Sequence, residues 1–337
     1  MLTENNTDIS NVFGIISDEL KQAREFISSS VFCDMPAAIR QTVHPLRNSL
    51  FSGKMLRPAL VILSYRALNN GLCRKAVADE VVRVAAIVEM IHNATLLHDD
   101  VIDEGTKRRG FPTMNCLMGN ESAVLLGDFL LSKVFRVCAN LKPAVVRIIS
   151  AAAERTCGGE IRQITCRGNW QLSEPEYLEI ITEKSAALFS GCCQTGAVLA
   201  DADESQIESL GSFGLNLGVA FQIADDLLDI IGDESKAGKT LGSDTGKSKS
   251  TLALIHLLRT VKKEAGERLI ERLNNPLENK SVLLEMLRAH GSLGYAQSKA
   301  QEFAAKAIDE LSGIKEGNAK NALIETARFV VGRAGIF

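Results

Sequence analysis

The sequence predicts an all-α protein, and three observations support that prediction. The chain of 337 residues has only seven prolines, and none lies between Pro175 and Pro276, a tract rich in Ala, Leu, Ile and Glu. Two runs of sixteen residues, 185–200 and 209–224, contain no charged side chain and are predicted to be buried core helices. Apolar residues also recur at the spacings of three and four that mark one face of a helix: Val81, Val84, Ala85, Val88 and Ile91.

The chain is predicted to form a single domain over residues 1–337, with an N-terminal helical segment over 1–30. No Pro/Ser-rich linker, change in composition or internal repeat divides it. With 41 acidic and 38 basic side chains, the net charge is −3, so no broad positive field exists for a nucleic acid. An anionic partner should therefore be small and bound by individually placed Lys and Arg.

Cysteine usage and the N-terminal sequence predict a cytoplasmic protein. The eight cysteines form no CxxC pair, and the start MLTENNTDIS carries no basic segment followed by an apolar one. The uncharged runs are shorter than a bilayer core requires, so no transmembrane segment is expected. Peripheral contact with a membrane stays open.

The first interruption of the helical pattern is FSGKMLRP, residues 51–58. Gly53 is predicted to end one helix, and Pro58 to lie in the first turn of the next. Lys54 and Arg57 would then lie where the second helix begins. Taken alone, this segment favours two solvated cations over a binding site.

The second interruption is DDVIDEGTKRRG, residues 99–110, at the end of the periodic helix. If that helix continues, Asp99 and Asp103 share a face, and His92 lies two turns earlier on the same stripe. Three basic residues at 107–109 follow at once. An acidic helix end is thus joined directly to a basic loop.

The third interruption follows FQIADDLLD, which repeats the carboxylate spacing. Asp225 and Asp229 lie four residues apart, Asp226 is beside them, and Gln222 lies one turn earlier. The following segment, 231–250, contains four glycines and four lysines. Loops of that length in compact domains are usually lids or binding loops, and a lid-like loop is predicted here.

Two aspartate motifs, each at the end of an apolar helix, favour a metal site over two solvated acidic faces. If all six carboxylates enter one cavity, each pair at ~6 Å repels by about 3 kcal/mol at an effective dielectric near 20. Bound cations would relieve that repulsion. Oxygen ligands without a matching His/Cys set favour Mg²⁺, with Mn²⁺ as the alternative, and both accept phosphate oxygens as further ligands.

Competing phosphate chemistries fit less well. A P-loop would require glycine at position 233 or 241, but those residues are Asp233 and Leu241. A P-loop nucleoside triphosphatase is therefore excluded. The pair His98-Asp99 leaves a metal phosphohydrolase open, although few other histidines are present. Helical glycines at 211, 214 and 218 indicate either close helix packing or room for an apolar chain.

Seven segments occur in an order that resembles one family. They are GKMLRP, HDDVIDEGTKRRGFPT, GDFLL, GGEIRQ, EKSAALF, FQIADDLLD and GKTLGSD, and the match that they mark extends over nearly the whole length of the chain. The sequence resembles the trans-isoprenyl diphosphate synthases of the polyprenyl synthetase family. That resemblance implies an isoprenoid synthase helical bundle around a deep central cavity, usually a homodimer. It also implies a prenyltransferase that joins isopentenyl diphosphate to an allylic diphosphate by ionisation, condensation and elimination.

The resemblance also assigns roles to residues. The metal ligands would be Asp99, Asp100, Asp103, Asp225, Asp226 and Asp229, and the catalytic groups Asp99, Asp103, Asp225 and Lys184. Isopentenyl diphosphate would meet Lys54, Arg57, His92 and Arg109. The allylic diphosphate would meet Arg108, Lys184, Ser185, Gln222, Lys239 and Lys249. The released diphosphate would accept the proton. Departures from the family pattern are Met55, Ser185, Ser248 and Ala253, where the family often has Arg, Thr, Gly and Pro.

Product length depends on the helix above the first motif, because each helical turn adds about 5.4 Å of depth. Ala94 and Thr95 are small, where farnesyl-type enzymes of this family place an aromatic residue. A long-chain product, hexaprenyl to decaprenyl, is therefore predicted. The alternatives are a geranylgeranyl or other short-chain synthase closed by Phe129 or Phe135, a non-catalytic subunit of a heteromeric synthase, and a class I terpene cyclase.

Overall fold

The computed structural model of the protein describes residues 9–33, 35, 40, 53–69, 75–231, 248–273 and 280–332. The helices of these ranges are α1 (Ile9–Val12), α2 (Ser17–Phe32), α3 (Leu56–Leu68), α4 (Lys75–Ile102), α5 (Met114–Met118), α6 (Asn120–Cys138), α7 (Pro143–Thr165), α8 (Glu174–Ile181), α9 (Ala187–Leu199), α10 (Glu204–Ile231), α11 (Leu252–Thr260), α12 (Lys263–Leu273), α13 (Lys280–Ala289), α14 (Ser292–Glu310) and α15 (Asn318–Gly332). A 3₁₀ turn, Phe13–Ile16, joins α1 to α2, and a π-helical turn, Thr182–Ala186, joins α8 to α9.

The all-α prediction is confirmed. The only strands in the described ranges are β1 (Lys107–Arg108) and β2 (Phe111–Pro112), which pair antiparallel with Arg108 opposite Phe111. Arg109 and Gly110 form the turn between them with φ of 53° and 82°. Two positive φ angles are typical of the tight turns that suit a two-residue hairpin. The basic loop predicted after the first motif is therefore a small hairpin.

The core is built around α10, which packs against α9 on one side and α14 on the other. Helix α9 also contacts α3 and α7, and α4 packs between α3 and α6. Among the described residues, only the segment Val77–Ile102 is long and apolar enough to cross a membrane, and 72% of its most apolar window is buried in the protein. Its apolar character is that of a core helix covered on several sides.

The glycines of α10 allow close helix packing. A Cβ atom at Gly214 would lie 2.6 Å from the carbonyl oxygen of Phe189, and one at Gly218 would lie 2.5 Å from the Cα of Ala186. Because real Cβ atoms do not approach backbone so closely, α9 and α10 could not meet as they do with larger residues. Of the two explanations left open by the sequence, close packing is the one observed.

The long loop predicted at 231–250 is described only at its ends. Helix α10 ends at Ile231, and the description resumes at Ser248, so Lys239 lies outside the described residues. The described cysteines are all free thiols. Two of them, Cys192 and Cys193, lie fully buried in α9.

Candidate active site

The first aspartate motif lies where α4 ends. Asp103 follows the last helical residue, and its N–H still donates to the carbonyl oxygen of Asp99 at 2.7 Å. Burial raises the pKa of Asp99 to about 6, although the charge of Lys184 opposes that shift. Asp100 is 5% exposed and accepts hydrogen bonds from Nε and Nη2 of Arg108 at 2.7–3.0 Å. The helix end thus presents carboxylates in a partly desolvated setting.

Arg108 of the hairpin binds the first motif directly and lies within electrostatic range of the second. Burial lowers the pKa of its guanidinium, but the hydrogen bonds and charge of Asp100 raise it by more, with further contributions from Asp99 and Asp225. Asp225 belongs to the second motif, so this one cation interacts with carboxylates from both helices. Arg108 therefore holds a position suited to an anion lying between α4 and α10.

The second motif is supported by a chain of hydrogen bonds. Tyr177 donates to Oδ2 of Asp226 at 2.6 Å, and the side-chain amide of Gln222 donates to Oδ1 at 2.8 Å. The hydroxyl of Ser185 donates in turn to the side-chain oxygen of Gln222 at 2.5 Å. Asp229 is 2% exposed. These contacts fix the orientation of Asp226 and hold Ser185 and Gln222 beside it.

Lys184 is presented by the π-helical turn. Its Nζ donates to the side-chain oxygen of Gln163 at 2.6 Å and forms an ion pair with Glu160, both on α7. The capping box of Ser173 and Glu176 starts α8, and the π turn follows α8 directly. A π turn inserts one residue into the helical register, and such turns are frequent at functional sites.

Gly159 allows α7 to reach this turn. A Cβ atom there would lie 2.2 Å from the backbone nitrogen of Lys184, whereas one at Gly158 would have no described atom within 4 Å. Gly159→Ala should therefore lower the free energy of unfolding by about 1–3 kcal/mol and displace Lys184. Gly158→Ala is the matched control and should raise it by up to about 1 kcal/mol through helix propensity. Equal unfolding midpoints in urea for the two variants would contradict this packing.

A second group of cations lies between α3, α4 and the hairpin. Nζ of Lys54 lies 4.7 Å from the ring centroid of Phe329, and the guanidinium of Arg57 lies 4.8 Å from that of Phe189. Arg109 lies so close to Gly53 that a Cβ there would be 2.6 Å from its Nη2. Lys54 and Arg57, which lie three residues apart where α3 begins, are thus close to Arg109 of the hairpin.

Two further titratable groups belong to this cationic cluster. Burial, followed by the charges of Arg57 and Arg109, holds the pKa of His92 well below its ordinary value, so the imidazole is neutral near pH 7. Glu89 lies one turn earlier on α4 and is 2% exposed. Burial raises the pKa of Glu89, while Arg57 and Arg109 oppose that rise. The carboxyl of Glu89 supplies the acidic counterpart to guanidinium groups that are themselves desolvated.

Asp103 lies between two cations of other segments. Nη2 of Arg167 donates to its Oδ1 at 2.7 Å, and Nζ of Lys249 donates to its Oδ2 at 3.1 Å. Lys249 therefore lies beside the first aspartate motif. Arg167 comes from the loop after α7 and was not among the predicted residues.

The donor set fits a hard divalent cation, because it offers carboxylate oxygens and no matching His/Cys group. Within the described ranges, however, no three His, Cys, Asp or Glu side chains are grouped to hold one ion. Asp100, Asp103 and Asp226 have both oxygens engaged by protein donors. Arg, Lys, Tyr and Gln side chains thus supply partners to three of the six motif carboxylates.

The chain-length positions differ from each other in exposure. Ala94 is fully buried, whereas Thr95 is half-buried and donates its hydroxyl to the carbonyl oxygen of His92 at 2.8 Å. Phe129 is half-buried as well. Phe135 is 72% exposed, so the suggestion that it closes a cavity within this chain is wrong. It occupies the outer face of α6, which helical spacing alone did not distinguish from the inner one.

Sequence reasoning missed five residues that build this site: Glu89, Glu160, Gln163, Arg167 and Tyr177. Glu89 lies three residues before His92 on one helix, and Glu160 and Gln163 have the same spacing on another, which was an available signal. Arg167 lies in the loop after α7, and Tyr177 lies in α8, which follows that loop. No periodicity connects either of them to the aspartate motifs.

Comparison with known proteins agrees with this arrangement. A family model described as polyprenyl synthetase matches residues 40–289. The octaprenyl diphosphate synthase of Haemophilus influenzae is 34% identical over 286 residues, which are 83% of this chain and 84% of that protein. The short chain isoprenyl diphosphate synthase of Methanocaldococcus jannaschii is 37% identical over 235 residues, 68% of this chain and 70% of that protein.

A solved structure matches over nearly the full length. The polyprenyl synthase of Caulobacter crescentus, complexed with calcium and isoprenyl diphosphate, superposes with a TM-score of 0.88 at 32% identity, covering 96% of this chain and 97% of the other. The described helices, the two aspartate motifs and these matches agree. The chain belongs to the polyprenyl synthetase family.

Proposed function

We propose that this protein is a long-chain trans-polyprenyl diphosphate synthase, which condenses isopentenyl diphosphate onto an allylic diphosphate. The observation that supports it most is Arg108, a single cation that interacts with carboxylates of both aspartate motifs. Such a position suits an anion between the two helices. The related Caulobacter protein, complexed with calcium and isoprenyl diphosphate, offers a precedent for metal and diphosphate together.

The allylic diphosphate would be bound by cations that stay in place while it departs. Lys184 is fixed by Glu160 and Gln163, and Arg108 by Asp100. Pre-oriented charges stabilise a leaving group without reorganising during the reaction. Ser185, Gln222, Lys239 and Lys249 complete the proposed set.

Divalent metal would be held by carboxylates of both motifs, with Asp99, Asp103 and Asp225 as direct ligands and Asp100, Asp226 and Asp229 in support. When bound, Mg²⁺ or Mn²⁺ would neutralise charge that builds on the departing diphosphate. The hydrogen bonds to Asp226 from Tyr177 and Gln222 would keep the second motif oriented.

Isopentenyl diphosphate would bind at Lys54, Arg57, His92 and Arg109. The neutral imidazole of His92 can donate one hydrogen bond to phosphate, while the guanidinium groups carry the charge. Glu89 would keep those guanidiniums in place between turnovers. No protein nucleophile is required, because the allylic cation is attacked by the double bond of the acceptor and the released diphosphate takes the proton.

Product length is proposed to exceed geranylgeranyl, because Thr95 leaves room one turn above Asp99. Thr95→Phe should shift the products to shorter chains, since a ring there would close the path of the growing hydrocarbon. The measurement is chromatographic sizing of products made from farnesyl diphosphate and labelled isopentenyl diphosphate. Thr95→Val is the control of equal size and should leave the length distribution unchanged. An unchanged distribution in Thr95→Phe would mean that the chain does not pass this face of α4.

The second candidate is a short-chain synthase, which the 37% identity to the Methanocaldococcus short chain isoprenyl diphosphate synthase favours. The same sizing of products from the unmodified protein separates the two. Chains of six to ten isoprene units support the long-chain proposal. A sharp stop at four units would reject it and leave prenyl transfer intact.

We also propose a homodimer in the cytoplasm. Large apolar side chains are exposed on α6 and α7, and such side chains mark an interaction site where they are contiguous: Val124, Leu125, Phe135, Ile161 and Ile164. A second copy covering these two helices would bury them. One chain has a mass of 36.5 kDa. Sedimentation velocity of the unmodified protein should give twice that mass, and the mass of a single chain would reject the dimer.

A further inference from the structure

Asp103 joins two segments that are distant in sequence. Arg167 reaches it from the loop between α7 and α8, and Lys249 from the segment before α11. The carboxylate is 20% exposed and the Arg167 side chain 26%. Both partners are therefore accessible enough to rearrange when a ligand enters.

The two segments also bind each other. The N–H of Gly168 donates to the carbonyl oxygen of Ser248 at 2.9 Å, and the hydroxyl of Ser250 donates to the carbonyl oxygen of Asn169 at 3.0 Å. Ser248 adopts a φ of 55°, a conformation that a serine rarely takes without such restraint. The loop that carries Arg167 is thus hydrogen-bonded to the segment that carries Lys249. The two segments together hold both cations against Asp103.

Arg167 retains one donor that the described part of the chain leaves unused. Its Nε is buried and has no hydrogen-bond partner among the described residues, although Nη2 binds Asp103. A guanidinium presents its donors in a planar fork that matches phosphate oxygens. An unmet, buried donor beside a carboxylate of the first motif is therefore suited to a diphosphate oxygen.

We propose that Arg167 couples metal binding to diphosphate binding by changing partners. Its guanidinium pairs with Asp103 when no divalent cation is present. When a cation binds Asp103, the guanidinium donates its hydrogen bonds to diphosphate instead. Metal and guanidinium compete for one carboxylate, whereas diphosphate attracts both. Because such coupling is reciprocal, each ligand should strengthen the other. The inference rests on the proposed function, since it assumes that Asp103 is a metal ligand.

The test is a calorimetric titration with Mn²⁺ alone, followed by inorganic pyrophosphate in the presence of Mn²⁺. Arg167→Gln should bind Mn²⁺ alone about tenfold more tightly, because the competitor is gone, and pyrophosphate with Mn²⁺ about fivefold more weakly. Arg162→Gln is the matched control, since that arginine pairs with Glu179 and Glu183 on the surface. It should behave like the unmodified chain. Arg167→Lys keeps the charge and should stay within about twofold for Mn²⁺.

A second background separates this exchange from a general effect of removing positive charge. In Asp103→Asn, the further change Arg167→Gln should leave Mn²⁺ affinity unaltered, because the shared carboxylate is absent. Equal Mn²⁺ affinity in Arg167→Gln and the unmodified chain would overturn the inference, as would the same tightening in the Asp103→Asn background. If the unmodified chain bound no Mn²⁺ even with pyrophosphate, the metal-dependent function itself would fail, which is a different result.

Discussion

Replacing Asp99 by asparagine is expected to lower kcat for prenyl transfer by about a thousandfold at saturating Mg²⁺. The change keeps the shape of the side chain and removes the charge that would hold a metal against the departing diphosphate. The measurement is incorporation of labelled isopentenyl diphosphate into extractable product.

The same substitution should leave the protein folded. Burial raises the pKa of Asp99 from 3.8 to about 6, so its ionised form is less favourable in the folded protein than in the unfolded chain. That cost develops as the pH rises from about 4 to above 6 and is complete near pH 7. A neutral amide avoids it, and the unfolding midpoint at pH 7.5 should be unchanged or higher. Asp201→Asn, at an exposed carboxylate paired with Lys142, is the control and should keep full activity. A loss smaller than tenfold in Asp99→Asn would contradict its assignment as a ligand.

Lys184→Met is expected to lower kcat by about a hundredfold or more, with a smaller change in KM for the allylic substrate. The methionine keeps an apolar stem of similar length against α7 while removing the charge. Because negative charge grows on the leaving group only as the bond breaks, the loss should fall mainly on the rate of ionisation. Steady-state rates with varied farnesyl diphosphate measure both constants.

Lys142→Met is the matched control for that variant. Its ammonium pairs with Asp201 on the surface, so kcat and KM should both match those of the unmodified protein. Comparable reductions of kcat in the two variants would show that the effect comes from losing any lysine charge and does not depend on the position of Lys184. A rise in KM with unchanged kcat for Lys184→Met would mean that the residue binds the ground state and the transition state equally, which would contradict the prediction.

Much of the fold follows from local sequence properties. Scarce proline and the spacing of Val81, Val84 and Val88 predict helices, because backbone preference and one-sided burial are both short-range. The same periodicity placed Asp99 and Asp103 on one face, and the structure keeps their helical hydrogen bond. Local reasoning therefore identified the elements that carry the first motif.

Partners from other segments could not be predicted in this way. The position of Lys184 depends on a π turn and on the absence of a side chain at Gly159, and no local preference encodes either relation. Tyr177 meets Asp226 only after α8 and α10 pack. The outward position of Phe135 likewise depends on which face of α6 its neighbours cover. These relations are tertiary, and one sequence contains no direct signal for them.

The most direct test of the proposed function is an assay with and without the acceptor substrate. Protein, Mg²⁺ and farnesyl diphosphate are incubated with labelled isopentenyl diphosphate, and pyrophosphate release and product are followed together. The prediction is one pyrophosphate released for each isopentenyl unit incorporated, and no consumption of farnesyl diphosphate when isopentenyl diphosphate is omitted. Consumption without the acceptor would indicate a cyclase, and absence of turnover with both substrates would contradict catalysis by this chain alone.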